Sequence, residues 1–421
     1  MNKLESPQAN RNFWKHFQKQ KAAFFAFWIV ISLVIIAIFA DVLANDKPLL
    51  ASYQHKLYFP VWHQYSEALG AAKKPYPDWK TIKTDFAIWP PVRYAAKEID
   101  LNNAQYCAPG AKQNIKNNRY KHYMGTDALG KDVLSALIHG TRIALCVGLG
   151  SMIIAGILGI SLGMLAGFFG DYKLKISKAS IWGLCFFIIP GFFYGFQCRQ
   201  FQIIDAMHHS FLAMIQELIL SLLIFLMILV LGYYISKALK VLVYFRKKIN
   251  FPLDMIISKM IEVFTAVPKL FLILSVVVLI KPSLLLIICI IGFFSWTEMA
   301  RLVRAEMLVI REKEYMESAN ALGYPTLRQM FYHALPNALG PVFISISFGI
   351  AAAILTESSL SFLGIGLPID TLSWGKLLSS AREAPQAWWL AVFPGFAIFI
   401  CVTAFNLIGD GLTKVMEARK E

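Results

Sequence analysis

Long apolar runs separated by short polar and basic stretches dominate this chain, and their lengths are those of membrane-crossing helices. The first, Ala22–Ala44 (AAFFAFWIVISLVIIAIFADVLA), places about twenty apolar residues ahead of Asp41, which at about 1.5 Å per residue crosses a hydrocarbon core of about 30 Å. A cleavable signal peptide has a shorter apolar core and a small-residue cleavage site, so this segment reads as a retained anchor. Residues 45–140 are polar, carry scattered Pro, Trp and Tyr, and contain no run long enough to cross; they are expected to form an extracytoplasmic loop or small domain. Ile143–Gly170 is apolar and rich in glycine, a composition that lets helix backbones approach closely in a membrane, so this span is expected to face protein and not lipid. Two further runs follow, Ile181–Phe196 and Phe211–Ile235. The first of these is short, roughly 25 Å, and contains Pro190, so crossing and re-entry both stay open for it. The remaining spans are expected near 256–280, 284–302, 337–363 and 387–409.

Between the second and third of these four, residues 297–341 are polar and begin with good helix formers. Gly323 is a natural left-handed helix end, and Pro325 just beyond it stops the first helix and can open a second. A helix-turn-helix elbow at the cytoplasmic surface is expected, and an ordinary charged loop would not need such punctuation.

Composition agrees with this pattern. The 421 residues are 57% hydrophobic and 16% charged, too apolar for an ordinary soluble protein. The net charge of +15 has a local explanation in the positive-inside rule. Lys3, Arg11, Lys15, Lys19 and Lys21 precede the first span, and Lys414, Arg419 and Lys420 follow the last, which places both termini in the cytoplasm. DYKLKISK (171–178) and KALKVLVYFRKK (237–248) flank the middle pair of runs, while their connector QCRQFQIIDAMHH holds one arginine; 176–250 is therefore expected to be a hairpin that crosses outward and returns. No nucleic-acid partner is needed to account for the charge. The six cysteines have no C-x-x-C spacing, and the adjacent His208 and His209 would point about 100° apart on a helix, so no metal site is signalled.

One stretch raises a different chemistry. GTDALGKD, residues 125–132, is one residue away from the phosphate-binding pattern G-x-x-x-x-G-K-[ST], in which glycine amides cradle phosphates, lysine neutralises them and a hydroxyl holds magnesium. Asp132 stands where the hydroxyl belongs, and a carboxylate about 4 Å from a phosphate repels it by roughly 4 kcal/mol at an intermediate effective dielectric. The residues ahead of Gly125, NNRYKHYM, are polar and basic, where a phosphate loop would follow a buried apolar strand. The nucleotide reading fails on both counts.

The elbow and this stretch together resemble a known family. Glu317, Ser318, Ala319, three residues and Gly323, then nine residues and His333, Ala334, Leu335 and Pro336 resemble the E-A-A-x-x-x-G-x9-I-x-L-P signature of permease subunits of bacterial ABC importers. GTDALGKDVLSALIHGTRIAL, with Gly125, Thr126, Asp127, Gly130 and Asp132, is similar to a stretch of the second-type permease of dipeptide, oligopeptide and nickel importers. SLSFLGIG, SWGKLL, AWWLAVFPG and AFNLIGDGL resemble later segments of the same subunit. NDKPLL and YFP near residues 45–60, with the long first loop, are similar more particularly to the Yej-type oligopeptide and microcin C permeases. Ser318 and His333 depart from the signature's Ala and Ile, and 176–250 has no counterpart in the usual six-span core.

The resemblance implies an all-α polytopic membrane protein of the bacterial inner membrane: a type I ABC-importer transmembrane domain with a six-helix core plus an extra transmembrane hairpin. The expected layout is a cytoplasmic tail (1–21), a first helix (22–44), a periplasmic loop (45–140), a second core helix (141–175), the inserted hairpin (176–250), the rest of the core with a coupling elbow at 312–336 (251–412), and a cytoplasmic tail (413–421). The implied partners are a homologous second permease forming a heterodimer, two ABC ATPase subunits, a periplasmic substrate-binding protein and the lipid bilayer, with no cofactor. The implied function is half of a path for di- and oligopeptides, with nickel or a modified peptide as the alternative substrate. Glu317 would make polar contacts with the ATPase, Ala319 would permit close approach, and Leu335 with Pro336 would fix the angle into the next span.

The residues themselves agree that the engine lies elsewhere: no phosphate loop, catalytic triad or paired intramembrane carboxylates are present. Among intramembrane ionisable residues, Glu357 is the candidate for lining the path, while Glu262 and Lys269, seven apart on one helical face, are expected to pair or to lie near the membrane surface. A polytopic enzyme or receptor built on the 45–140 loop, and a passive channel, are the rival classes; an ATPase partner separates them from an importer.

Overall fold

The computed structural model describes residues 14–63, 79–80, 82, 85–115, 118–209, 211–239, 246–280, 282–368 and 370–417. Lys3, Arg11, Arg419 and Lys420 lie outside the described residues, as do the side chains of His208 and His209. The first half of the chain holds helices Lys21–Ile38 (α1), Val133–Phe169 (α2), Lys178–Phe192 (α3), Gln200–His209 (α4) and Phe211–Leu239 (α5). The second half holds Leu253–Ala266 (α6), Lys269–Val277 (α7), Leu284–Phe293 (α8), Trp296–Ile310 (α9), Glu314–Ala321 (α10), Gly340–Phe362 (α11), Trp374–Glu383 (α12) and Trp389–Glu417 (α13). Among the described residues seven helical stretches are long and apolar enough to cross a membrane, or eight if the bent pair α6 and α7 is one span.

The chain divides into two compact units, residues 1–164 with 260–421, and residues 165–259. In the first, a core of Met152 and Ala155 from α2, Ile273 from α7, Ile287 and Ile291 from α8, Met299 from α9, Ile350 and Ile354 from α11, and Cys401 and Phe405 from α13 is shielded by its own helices. Glycine sets how closely α2 meets α9. A Cβ on Gly159 would lie 2.8 Å from the carbonyl oxygen of Trp296, and one on Gly163 would lie 2.5 Å from that of Ala300, so backbone packs on backbone. The glycines of this span pack on protein, while Ile153 and Ile157 elsewhere on it are each 63% exposed.

Several elements differ from the apolar pattern. α2 begins at Val133, ahead of the apolar run, because Asp132 supplies its N-terminal cap. The span expected at 256–280 is broken by 78° between α6 and α7, where Pro268 has no N–H to continue the ladder and sits at φ −55°, ψ 125°. The polar loop contains a three-stranded antiparallel sheet, Leu50–Tyr53 (β1), Lys56–Tyr58 (β2) and Phe86–Ile88 (β3), in the order β2-β1-β3; its strands are too short to show a period-2 signal in the sequence.

The second unit is an antiparallel helical hairpin. Small residues form its seam: a Cβ on Gly183 would lie 2.8 Å from that of Ser236, and one on Gly195 3.0 Å from the Ser221 carbonyl oxygen. The connector to the second leg is helical, so the first leg runs from Lys178 to Ala206 and is long enough to cross. Pro190 is absorbed inside it, three residues ahead of a π-turn at Phe193–Gln197. The entry and exit of the hairpin are joined by a ladder of Lys175–Ser177 (β4) and Lys248–Asn250 (β5), with Lys175 opposite Asn250 and Ser177 opposite Lys248. Lys178 N–H donates to Lys247 O at 3.0 Å and Phe251 N–H to Leu174 O at 2.8 Å, so the segment closes on itself.

Gly163→Ala is expected to lower the thermal midpoint of the purified protein by the equivalent of about 1–3 kcal/mol, because the nearest obstacle is backbone. Gly156→Ala meets nothing nearer than the Met299 sulfur at 3.9 Å and should leave the midpoint unchanged or raise it; equal effects would overturn the seam. Replacing residues 176–249 by a short polar linker should yield a chain that inserts and remains monodisperse in detergent, since its junctions are already hydrogen-bonded neighbours; aggregation of that chain would show that the hairpin is required for folding.

Candidate functional site

α2 starts on the stretch that imitates a phosphate loop, and the structure shows what that stretch does. The chain turns at Gly125 (φ +79°) and Gly130 (φ +82°), and a Cβ on Gly130 would lie 2.0 Å from the Asp100 carbonyl oxygen, so only glycine fits. Asp127 Oδ1 accepts the N–H groups of Leu129 and Lys131, both at 2.9 Å. The Thr126 hydroxyl donates to Asn103 O at 2.7 Å and accepts the Cys107 N–H at 3.0 Å. The N–H groups of Gly125, Thr126, Asp127 and Gly130 all donate to carbonyl oxygens of this segment and its neighbours. Those that would cradle a phosphate are therefore already occupied.

Asp132 is 2% exposed and works with both oxygens. Oδ2 accepts the Ser135 N–H at 2.7 Å and caps α2, while Oδ1 lies 2.9 Å from His122 Nδ1. The other nitrogen of His122, Nε2, lies 3.3 Å from Asp100 Oδ2, and the fully buried ring stacks on Tyr94 at 4.1 Å between centroids. Burial pushes the Asp100 carboxyl up, but hydrogen bonds from Asn103, His122 and the Asn102 N–H outweigh it and hold the group below its ordinary value. Burial pushes the Tyr94 hydroxyl up, reinforced by the charge of Asp100. The helix then gathers the first unit around itself. Arg142 donates from Nε to Ala37 O at 2.9 Å and pairs with Asp41 at 2.7 Å, taking a carbonyl left open at the end of α1. Trp374 Nε1 donates to Leu137 O at 3.0 Å and Trp389 Nε1 to Thr126 O at 3.1 Å. Of this group the sequence reading singled out Gly125, Thr126, Asp127, Gly130 and Asp132; it missed His122, Asp100 and Asn103, which no spacing links to the motif.

The elbow is a second built feature. α10 ends in a Schellman turn: Gly323 at φ +73° donates its N–H to Asn320 O at 2.9 Å, and Tyr324 N–H reaches back to Ala319 O at 3.2 Å. Pro325 precedes a short helix, Thr326–Arg328, which passes through a π-turn at Gln329–Ala334 into Leu335–Ala338 and α11. Met316, Ala319, Met330 and Ala334 are buried beneath it. Ala319 thus permits close approach inside the chain, whereas Glu317 and Ser318 are exposed. The Ser318 hydroxyl donates to Glu314 O at 2.9 Å, which explains how it replaces the signature's alanine without leaving a bare polar group. His333 lies flat on Tyr324 at 5.7 Å between centroids, with the Arg328 guanidinium 4.6 Å from the Tyr324 ring, so an aromatic stack stands where the signature has an aliphatic residue. Leu335 is half-buried and Pro336 exposed. Around the turn Leu322, Leu327 and Tyr332 are 70%, 65% and 79% exposed, a cluster of apolar side chains on a short rigid frame.

Glu357 is enclosed within the first unit at 1% exposure, with the Ser361 hydroxyl donating to Oε1 at 2.7 Å and that of Ser358 at 3.4 Å from Oε2. Glu262 and Lys269 do not pair: the break at Pro268 takes them off a common helical face, and Lys269 Nζ donates instead to Ser295 Oγ. Glu217 pairs with Arg199, whose Nε also donates to Ser221 Oγ at 3.1 Å. Among the described residues no group of three or more His, Cys, Asp or Glu is placed to hold a metal ion.

The profile described as binding-protein-dependent transport system inner membrane component matches residues 229–421, and that of the N-terminal TM domain of oligopeptide transport permease C matches residues 10–60. The chain is 26% identical over 420 residues to the inner membrane ABC transporter permease protein YejE of Escherichia coli, covering 98% of this chain and 97% of the relative. It is 23% identical to the peptidoglycan transport system permease protein YejE of Agrobacterium fabrum over 99% and 94% of the two chains. It is 26% identical to the dipeptide transport system permease protein DppC of Alkalihalophilus pseudofirmus over 76% and 79%. The chain thus carries an inner-membrane-component domain of binding-protein-dependent transport systems over residues 229–421 and an oligopeptide-permease N-terminal domain over residues 10–60, and its relatives are ABC transporter permeases.

Proposed function

We propose that this chain forms half of the path by which an ATP-driven importer carries peptides across the inner membrane, and that it transmits the work of ATPase subunits through the elbow. A homologous permease completes the path, two ATPases bind the cytoplasmic side, and a periplasmic binding protein delivers the substrate. Peptide is favoured by relatives named for dipeptide and peptidoglycan transport; nickel or a modified peptide is the alternative, because the binding protein selects the cargo. Both termini lie in the cytoplasm, and the 45–140 loop faces the periplasm. This chain supplies no ATP chemistry of its own.

The observation that carries this reading is the elbow: a rigid turn presenting Leu322, Leu327 and Tyr332 with the carboxylate of Glu317 nearby, on a frame continuous with α11. Exposed apolar side chains on a folded, buried-cored turn fit a cleft in a partner, and closure of that cleft moves the helix that follows. Glu357 is buried within the unit and takes hydrogen bonds from Ser358 and Ser361 of its own helix, α11, so its part in the path runs through the packing of that helix. Gly125 to Asp132 anchor α2. Purification of the native complex, with identification of its partners and bound ligand, tests the assignment as a whole; a chain that purifies without an ATPase would sink it.

At Gly323 a Cβ meets nothing within 4 Å, so the cost of a substitution is purely that of the left-handed backbone. Gly323→Val should cost about 1–3 kcal/mol of local strain and reduce transport and substrate-stimulated ATP hydrolysis together, whereas Gly323→Asn should largely retain both. Wild-type uptake by the valine variant would remove the elbow from the mechanism. Photo-crosslinking of the complex with labelled ATP should mark a partner and leave this chain unlabelled; specific labelling near Lys131 would revive the phosphate loop.

A further inference from the structure

We propose that the base of the inserted hairpin, where β4 and β5 join its two ends, is a binding surface for anionic phospholipid headgroups. The ladder is amphipathic. In the register that sets Lys175 opposite Asn250 and Ser177 opposite Lys248, both lysines project from one face on a diagonal of about 7–8 Å, while Ile176 and Ile249 face each other on the other side. Arg246 and Lys247 lead into β5, and Lys237 stands in the last turn of α5. All five cations are exposed, and among the described residues none of them is paired with a carboxylate. The acidic groups near this end are engaged elsewhere: Asp171 Oδ1 accepts the Met255 N–H at 3.0 Å, and Asp254 has a partner of its own.

What covers this surface follows from what lies next along the two helices. About one turn further into the hairpin stand Trp182, Tyr233 and Tyr234, exposed by 63%, 57% and 62%. Beyond them the legs present apolar side chains outward, with Phe186 at 73%, Ile189 at 74% and Met227 at 66%. Cations, then amphipathic rings, then aliphatic surface is the depth order of one bilayer leaflet from phosphate to acyl chain. A free phosphate needs only the cations, and an acidic protein would leave the aromatic belt and the apolar legs unexplained. The ladder adds what a loose basic loop lacks: backbone hydrogen bonds hold Lys175 and Lys248 on adjacent strands, so the positive charge stays concentrated at one depth. Cations at such a surface each favour anionic over zwitterionic lipid by about fivefold.

The inference rests on the hairpin crossing the membrane, and its test separates the two. The full-length chain is reconstituted in phosphatidylcholine vesicles containing a tracer of headgroup-photoactivatable phosphatidylglycerol or phosphatidylcholine, and labelled peptides are mapped by mass spectrometry. The phosphatidylglycerol probe should label residues 171–182 and 246–259 preferentially. In the variant Lys175→Gln, Arg246→Gln, Lys247→Gln, Lys248→Gln that labelling should fall at least about tenfold while phosphatidylcholine labelling is unchanged. Exchange of the three lysines for arginine should preserve it. Unchanged phosphatidylglycerol labelling in the glutamine variant, or displacement by soluble glycerol phosphate, would overturn the lipid site. A cysteine at Gln202 reports the crossing independently: reaction from outside in both proteins supports it, and reaction from the cytoplasmic side alone would overturn the crossing and the lipid site with it.

Discussion

The carboxylate of Asp132 is the point on which the first unit turns. One oxygen closes the N-terminus of a 37-residue helix, and the other binds a fully buried histidine that reaches a second carboxylate. A buried N–H or imidazole nitrogen left without a partner costs about 1–3 kcal/mol, and this junction would leave several at once. Because α2 carries Arg142 to the end of α1 and takes a bond from Trp374, while Trp389 bonds Thr126 in the turn just ahead of it, the position of its first turn decides the register of everything packed along it. The same residue forbids a phosphate here, so one carboxylate explains both what the stretch does and what it only imitates.

Packing deeper in the spans follows a different rule. Apolar side chains gain little from leaving lipid for protein, so helices associate where backbones come close and dispersion contacts are dense. Both units use this device: α2 lies against α9 through glycines, and the hairpin legs meet at Gly183, Gly195 and Ser236. The hairpin adds a third element, a short antiparallel ladder that brings its ends together. A segment closed in this way keeps its own two ends paired as hydrogen-bonded neighbours.

The elbow shows how a signature can tolerate substitution. Its requirements are a left-handed residue at 323, a small residue at 319 and a stop at 325; the identity of residues 318 and 333 matters only as far as each finds a bond or a stack. Ser318 finds a carbonyl one turn back and Tyr324 covers His333, so the turn keeps its shape while its surface chemistry changes.

Much of this protein was legible from residue order. Membrane spans are written locally, as apolar length, and helix ends as Gly323 and Pro325, because both depend on contacts within a few residues. The failure of the phosphate loop was legible for the same reason, in a single carboxylate at 132. What the chain order could not decide depended on distant partners. Asp100 and Asn103 sit in a polar loop with nothing to tie them to His122 and Thr126 until the loop folds back. Glu262 and Lys269 share a face only on a straight helix, and the bend at Pro268 removes it. Glu357 stands near the outer end of its span with its serine partners one and four residues on, and only the packing of the first unit decides that it is 1% exposed. Local sequence determines where a helix can begin and end, since its hydrogen bonds are local; which buried polar groups satisfy one another is settled only when the tertiary structure brings them within about 3 Å.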